Sequence, residues 1–190
     1  MSSLRYFFIV ALTGILIFLL NSGTSKYFSK PELPRYSKVA EFMLTDQNRN
    51  NFGTDLMLGN TVILQVFFAS CPHICPMVTK KVANLKANLS AVEDLMFVSI
   101  TIDPENDNPA VLKNYAAKFN ADSEDWKFLT GDKSVIEKLL KESLYLDAGP
   151  DKNMHSTRLV LIDKDLVIRG YYSSNDEESL KRLLVDAKSL

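Results

Sequence analysis

The chain has 190 residues, of which 46% are hydrophobic and 24% are charged, and its formal net charge at pH 7 is -1. This length suits one domain with its own core plus an N-terminal extension. The near-neutral charge gives no support for nucleic acid as a partner. Two cysteines are too few for a disulfide scaffold.

The first predicted element is an apolar N-terminal segment. Residues 6–20 (YFFIVALTGILIFLL) are apolar apart from one Thr and one Gly. As a helix they would cover roughly 22 Å, which is short of a ~30 Å hydrocarbon core, so both a signal peptide and an uncleaved anchor fit. Neither an A-x-A-like cleavage site nor a lipobox cysteine follows, which favours an anchor. We therefore predict a signal or anchor segment over residues 1–25, a tether over 26–38 and the folded domain over 39–190.

The flanking charges bear on the compartment. Several lysines and arginines follow the segment, and by the positive-inside rule they would hold the domain in the cytoplasm. A short basic start followed at once by an apolar stretch is nevertheless typical of secretory segments, so we expect export. The N-terminus lacks the Arg-rich and Ser-rich pattern of a mitochondrial transit peptide. This favours the bacterial inner membrane, with the domain facing the periplasm.

From residue 37 onward the hydrophobic pattern alternates between strand and helix. The apolar run over residues 62–68 predicts a central strand buried on both faces. The predicted strands occupy residues 62–68, 95–102, 158–162 and 166–172, and the last two form an antiparallel hairpin. A helix beginning near Pro76 has one apolar stripe, made of Val78, Val82, Leu85 and Leu89.

Polar residues mark where three further helices begin. Asn108 before Pro109 is a strong N-cap signal, and Asp132 caps a helix. Ser174 and Glu177 form a capping box before the last helix. A βαβ unit followed by a hairpin and a helix predicts an α/β fold with a mixed sheet flanked by helices, in the thioredoxin-like order.

The segment Cys71-Pro-His73-Ile-Cys75-Pro holds both cysteines and one of the two histidines. It lies where the central strand leads into a helix, a place that ligands favour in α/β folds. The spacing lets both sulfurs project from one turn. Cys75 is expected at the positive end of the helix dipole, which favours its thiolate. The spacing differs by one residue from the C-x-x-C of thioredoxins, which indicates another use of this location.

Two thiolates favour copper or zinc, and a metal needs at least one more ligand. His155 precedes the hairpin in a polar stretch, and His73 lies between the cysteines, so the residues alone leave both open. Met77 and Met154 carry thioethers but are more typical of packing. Two thiolates with one imidazole suit copper in either oxidation state, whereas a closed zinc site needs a fourth ligand.

Four sequence blocks resemble the Sco/SenC family of copper proteins and occur in the family's order, covering roughly residues 40–175. They are residues 66–76 (VFFASCPHICP), 99–109 (SITIDPENDNP), 126–131 (WKFLTG), and 155–156 (HS) followed by 161–163 (LID). The resemblance implies a membrane-tethered, thioredoxin-like protein that binds one copper through Cys71, Cys75 and His155.

The resemblance also implies a role in assembling the dinuclear copper centre of cytochrome c oxidase. The protein would act as a copper donor, as a thiol reductant of that site through Cys71 and Cys75, or as both. Its partner would be the copper-acceptor subunit of the oxidase or another copper protein outside the cytoplasm.

Two residues depart from the family pattern. His73 and Met154 stand where the family commonly has aspartates. The absence of these two negative charges should disfavour copper(II) relative to copper(I). Asp103, Asp107 and Pro109 are expected to shape the turn into the second helix.

Two alternatives come from other classes. One is a metal-independent thiol-disulfide oxidoreductase or peroxidase-like enzyme on the same fold. The other is a binding module whose cysteines form an unreactive disulfide. His155 separates copper binding from dithiol exchange, because metal binding needs it and dithiol exchange does not. The binding module instead predicts no metal and an unreactive disulfide.

Overall fold

The computed structural model describes residue 6 and residues 12–15, 32–146 and 157–190. The chain divides into two compact units, residues 1–32 and 33–190. Within the described ranges, no helix is long and apolar enough to cross a membrane. Most of the apolar segment over residues 6–20 lies outside these ranges, so the anchor stays a prediction.

The second unit is built on a mixed sheet of seven strands, in the spatial order β2-β1-β5-β4-β3-β6-β7. The central strand β3 pairs in parallel with β4, which pairs in parallel with β5, and the other neighbours are antiparallel. The strands are β1 Met43–Asp46, β2 Asn51–Gly53, β3 Thr61–Phe67, β4 Leu95–Thr101, β5 Trp126–Thr130, β6 Arg158–Ile162 and β7 Ile168–Ser173.

Four α-helices and a 3₁₀ helix, Thr54–Leu56, accompany the sheet in the described part of residues 33–190. The α-helices are α1 Ile74–Asn88, α2 Pro109–Lys118, α3 Lys133–Lys138, which continues into a π-helical turn Leu139–Ser143, and α4 Glu177–Ala187. The predicted caps of α2 and α3 are confirmed. Asn108 accepts hydrogen bonds from two backbone N–H groups of α2, and Asp132 does the same for α3.

Alternation along β3 divides the core between the two faces of the sheet. Ile63 and Phe67 pack with α1, α2 and α4 on one face. Val62 and Leu64 pack with α3 and its π-helical turn on the other. The predicted stripe of α1 is buried in the first of these cores. The predicted thioredoxin-like mixed sheet flanked by helices is therefore confirmed.

Three details of the prediction were wrong or incomplete. The capping box is wrong, because α4 begins after Asp176, whose carboxylate accepts from the Glu178 N–H at 3.0 Å. The helix predicted to begin near Pro76 begins two residues earlier, at Ile74. The pattern also missed β1, β2 and β5, which have only three to five residues each.

Residues 33–39 are held against the β6–β7 hairpin. Main-chain bonds join Tyr36 and Ser37 to Ile168 at 2.9 and 3.0 Å. The guanidinium of Arg169 donates to the carbonyls of Leu33 and Pro34, each at 2.8 Å. The predicted tether, residues 26–38, thus overlaps a part of the chain that is hydrogen-bonded to the domain.

Candidate metal centre

Both cysteines lie at the junction of β3 and α1. Cys71 precedes the helix and Cys75 lies in its first turn. The N–H of Cys75 donates to Sγ of Cys71 at 3.3 Å. The two side chains are 9% and 1% exposed, and both are thiols. The structure therefore brings the two buried cysteines together at the start of α1.

The local sequence explains why α1 begins here. The N–H of Cys71 donates to the carbonyl of Phe68 at 3.2 Å, which turns the chain out of the sheet. Pro76 is the third residue of α1, where a missing N–H costs the helix no hydrogen bond. The unpaired N–H groups at the start of α1 are thus left to face the sulfur of Cys71.

The electrostatics favour the thiolate of Cys71. Burial opposes ionisation of this thiol, but hydrogen bonds from the Cys75 backbone and side chain and from the N–H groups of His73 and Ile74 lower its pKa below the ordinary value. The sequence pattern placed the favoured thiolate at Cys75. The physical cause is the expected one, the positive end of a helix, and in the structure its N–H groups act on Cys71.

His73 occupies the N-cap position of α1, is exposed, and makes no side-chain hydrogen bond to the helix. Met77 is 43% exposed. Because an α-helix turns about 100° per residue, Met77 lies on roughly the opposite side of α1 from the buried Cys75. The described geometry thus assigns neither residue to the sulfur pair.

His155 and Met154 lie outside the described residues, so the third ligand stays a prediction. Among the residues that the structure describes, no three His, Cys, Asp or Glu side chains form a metal-binding group.

A buried polar network under α1 was not found from sequence. The amide of Gln65 donates to Ser99 at 2.9 Å and to Thr79 at 3.4 Å. Thr79 in turn shares a hydrogen bond of 3.0 Å with the hydroxyl of Tyr115. Ser99 also accepts from the indole N–H of Trp126 at 2.9 Å. The available signal was the one polar residue, Gln65, within the apolar run of β3.

The network lies close to the sulfur pair. Thr79 is one helical turn beyond Cys75. Burial, followed by the neighbouring Cys75 and Cys71, raises the pKa of Tyr115 far above its ordinary value, while the hydrogen bond shared with Thr79 opposes the shift. Tyr115 is therefore a neutral phenol beneath the site.

Comparison with known proteins gives the family. The SCO1/SenC family model matches residues 30–186. A SCO1 protein homolog of Bacillus subtilis is 29% identical over 187 residues, covering 95% of this chain and 96% of the relative.

Two solved structures share the fold. BsSco, described as having a disulfide switch and as a member of the Sco family of cytochrome c oxidase assembly proteins, has a TM-score of 0.71 and 27% identity, covering 83% of this chain and 95% of its own. Yeast Sco1 with copper bound has a TM-score of 0.66 and 29% identity, covering 85% and 96%. With the fold, the paired cysteines and a family match over residues 30–186, this chain belongs to the SCO1/SenC family.

Proposed function

We propose that this protein is a metallochaperone that binds one copper ion through Cys71, Cys75 and His155 and delivers it to the dinuclear copper site of cytochrome c oxidase. The observation that carries the proposal is the buried sulfur pair on one turn, with the Cys75 N–H 3.3 Å from Sγ of Cys71. The similarity to copper-bound yeast Sco1 supports the choice of metal.

The donor set fits copper as the cargo. Two thiolates and one imidazole suit copper in either oxidation state. Both thiols must lose their protons to bind a metal, and the N–H groups around Cys71 assist this. Delivery then proceeds by exchange of thiolate ligands, as the client's cysteines replace Cys71 and Cys75 on the ion.

The apolar segment over residues 6–20 supports a location at the bacterial inner membrane. In this proposal it anchors the chain, and the domain faces the periplasm. The client is then the copper-acceptor subunit of the oxidase or another copper protein outside the cytoplasm.

A copper-loading experiment tests the ligand set. The full chain, purified in mild detergent and reduced, is loaded with copper(I) anaerobically against a competing chelator. The wild type is expected to retain one copper per chain, and Cys71→Ser and His155→Ala to lose it or hold it much more weakly. His73→Ala is the matched control, because it removes the other histidine.

The outcomes separate the candidate ligands. Loss of copper in His73→Ala with retention in His155→Ala would transfer the imidazole ligand to His73. A wild type that retains no copper against a chelator of low affinity would overturn the proposal.

A second role uses the same sulfur pair, and its proximity is the observation that favours it. The Cys71 thiolate attacks a client disulfide, which gives a mixed disulfide and releases one client thiolate. Cys75, after losing its proton, then attacks Sγ of Cys71, forming the Cys71–Cys75 disulfide and releasing the second thiolate. Two electrons pass to the client, and its thiolates take up the protons.

The two roles differ in their need for His155. Dithiol exchange with a model peptide disulfide is expected to proceed in His155→Ala at a rate close to the wild type, while Cys75→Ser stops at the mixed disulfide. A His155→Ala variant that loses both copper and exchange would show that His155 serves more than the metal.

A further inference from the structure

The carboxylate of Asp107 lies against the turn that carries Cys71. Asp107 is 1% exposed. Its Oδ2 accepts from the backbone N–H of Ala69 at 2.9 Å and from the hydroxyl of Thr101 at 2.5 Å. Ala69 is two residues before Cys71. The side chain of Asp107 therefore joins the turn at residues 68–71, called the cysteine turn below, to the end of β4.

Asp107 also shapes the turn before α2, as expected from the sequence, but it does so through its main chain. Its N–H donates to the carbonyl of Asp103 at 2.9 Å, and Pro109 is the first residue of α2. The side chain is thus available for another task.

Pairing between β3 and β4 ends just before the cysteine turn. The last residue pair of β3 and β4 is Phe67 with Thr101, and the last main-chain bond runs from the Ile102 N–H to the Phe67 carbonyl at 2.9 Å. The next inward-facing donor on this side is the N–H of Ala69. Asp107 supplies its acceptor where the neighbouring strand has ended.

Packing beside this turn is incomplete. A cleft of about 270 Å³ borders it and is lined by Ala69, Ser70, Asp107 and Tyr115, among others. A turn with open space on one side is held less by side-chain packing than by its hydrogen bonds. A hydrogen bond to a carboxylate is among the stronger ones in proteins.

We propose that Asp107 is a positioning residue for the copper site: it holds the turn at residues 68–71 so that Sγ of Cys71 stays within reach of the Cys75 N–H. This inference rests on the proposed function, because it assigns Asp107 a role toward that same sulfur pair.

The test replaces Asp107 and its hydrogen-bond partner Thr101, each with a matched control variant. All variants are made in the full chain and studied in mild detergent. Asp107→Asn removes the charge with little change of shape. Thr101→Val removes the other hydrogen bond, and Thr101→Ser restores the hydroxyl. Asp103→Asn is the control for a carboxylate of the same turn, because its side-chain bonds go to the exposed Asn106.

Copper(I) affinity is measured by chelator competition. Asp107→Asn is expected to weaken binding about 10- to 100-fold, as loss of an outer support of a metal ligand commonly does. Thr101→Val should shift in the same direction, while Thr101→Ser and Asp103→Asn stay within roughly twofold of the wild type.

Two readouts need no metal. The Cys71–Cys75 dithiol equilibrium with glutathione is expected to shift roughly tenfold toward the disulfide in Asp107→Asn, because the reduced sulfur loses its fixed N–H donor. Amide hydrogen exchange of Ala69 should accelerate in the same variant. Asp176→Ala, which removes the cap of α4, controls for a general loss of stability and should leave both readouts unchanged.

Each outcome supports or overturns the positioning role of Asp107, the copper function, or both. Suppose that the wild type binds copper and that Asp107→Asn has the same copper(I) affinity, the same dithiol equilibrium with glutathione and the same amide exchange rate at Ala69. The positioning role is then overturned while the proposed function stands. If the wild type binds no copper but Asp107→Asn still shifts the dithiol equilibrium, the copper function fails and the positioning role stands. Equal shifts in Asp107→Asn and Asp176→Ala would reduce Asp107 to a contributor to general stability.

Discussion

The hydroxyl oxygen of Ser99 accepts two hydrogen bonds inside the sheet. It is fully buried and accepts from both the Gln65 amide and the Trp126 indole, each at 2.9 Å. Thr61, which is 1% exposed in the neighbouring strand β3, provides a contrast. Its hydroxyl has no hydrogen-bond partner among the described residues. Two buried hydroxyls of similar size therefore differ in what their removal leaves behind.

We predict that Ser99→Ala lowers the free energy of unfolding by about 2 to 4 kcal/mol, because two buried donors lose their acceptor. Thr61→Val should change it by less than about 0.5 kcal/mol, because no partner is left unsatisfied. Urea unfolding followed by circular dichroism measures both variants. Equal midpoints for Ser99→Ala and the wild type would mean that water replaces the serine without cost.

The start of α4 shows how a helix chooses between two capping residues. Ser174 has the sequence spacing of a capping box, but it is fully buried, and its hydroxyl has no partner in the described part of the chain. Its carbonyl instead accepts from the Lys81 ammonium at 2.7 Å, which joins the segment before α4 to α1. Asp176 supplies the cap of α4. Packing against α1 therefore moves the helix start two residues along the chain.

Replacing each candidate cap with alanine tests this assignment. Asp176→Ala should cost about 1 kcal/mol, the usual effect of losing an N-cap. Ser174→Ala should cost less than about 0.5 kcal/mol, because the hydroxyl satisfies no helix N–H and the carbonyl bond to Lys81 is retained. The midpoints of thermal unfolding rank the two variants. The reverse order would restore Ser174 as the cap.

At the scale of the whole molecule, Arg169 joins the beginning of the folded unit to the β6–β7 hairpin. Besides the carbonyls of Leu33 and Pro34, it contacts Asp163 at 3.0 Å, and both side chains of this ion pair are 8% exposed. Asp163 also accepts from two N–H groups of the hairpin turn. A single buried cation thus serves the hairpin and the chain that enters the domain.

We predict that Arg169→Ala destabilises the domain by about 3 to 5 kcal/mol, because it leaves a buried carboxylate uncompensated. The segment at residues 33–39 should also become accessible, so chymotrypsin should cleave faster after Tyr36. Arg35→Ala is the matched control. Arg35 is 52% exposed and 3.8 Å from Asp163, so its loss should cost less than about 1 kcal/mol. Unchanged proteolysis in Arg169→Ala would show that main-chain pairing alone holds the segment.

Much of this protein could be predicted from local patterns. The apolar run of β3, the stripe of α1 and the caps Asn108 and Asp132 each depend on residues within a few positions of one another. The cysteine motif is equally local, because residues 71–76 contain both cysteines. Such features are written into short stretches of chain, where periodicity and backbone capping act.

The tertiary structure decided what depends on residues far apart in sequence. The short strands β1, β2 and β5 are stable only once they pair, so their patterns alone were too weak to read. The bond from Ala69 to Asp107 spans 38 positions, and that from Gln65 to Ser99 spans 34. The sequence by itself therefore determined the fold class and the place of both cysteines at the start of α1. Only the packed sheet decided which distant groups form hydrogen bonds around the start of α1, because burial and hydrogen bonding across strands have no local signal.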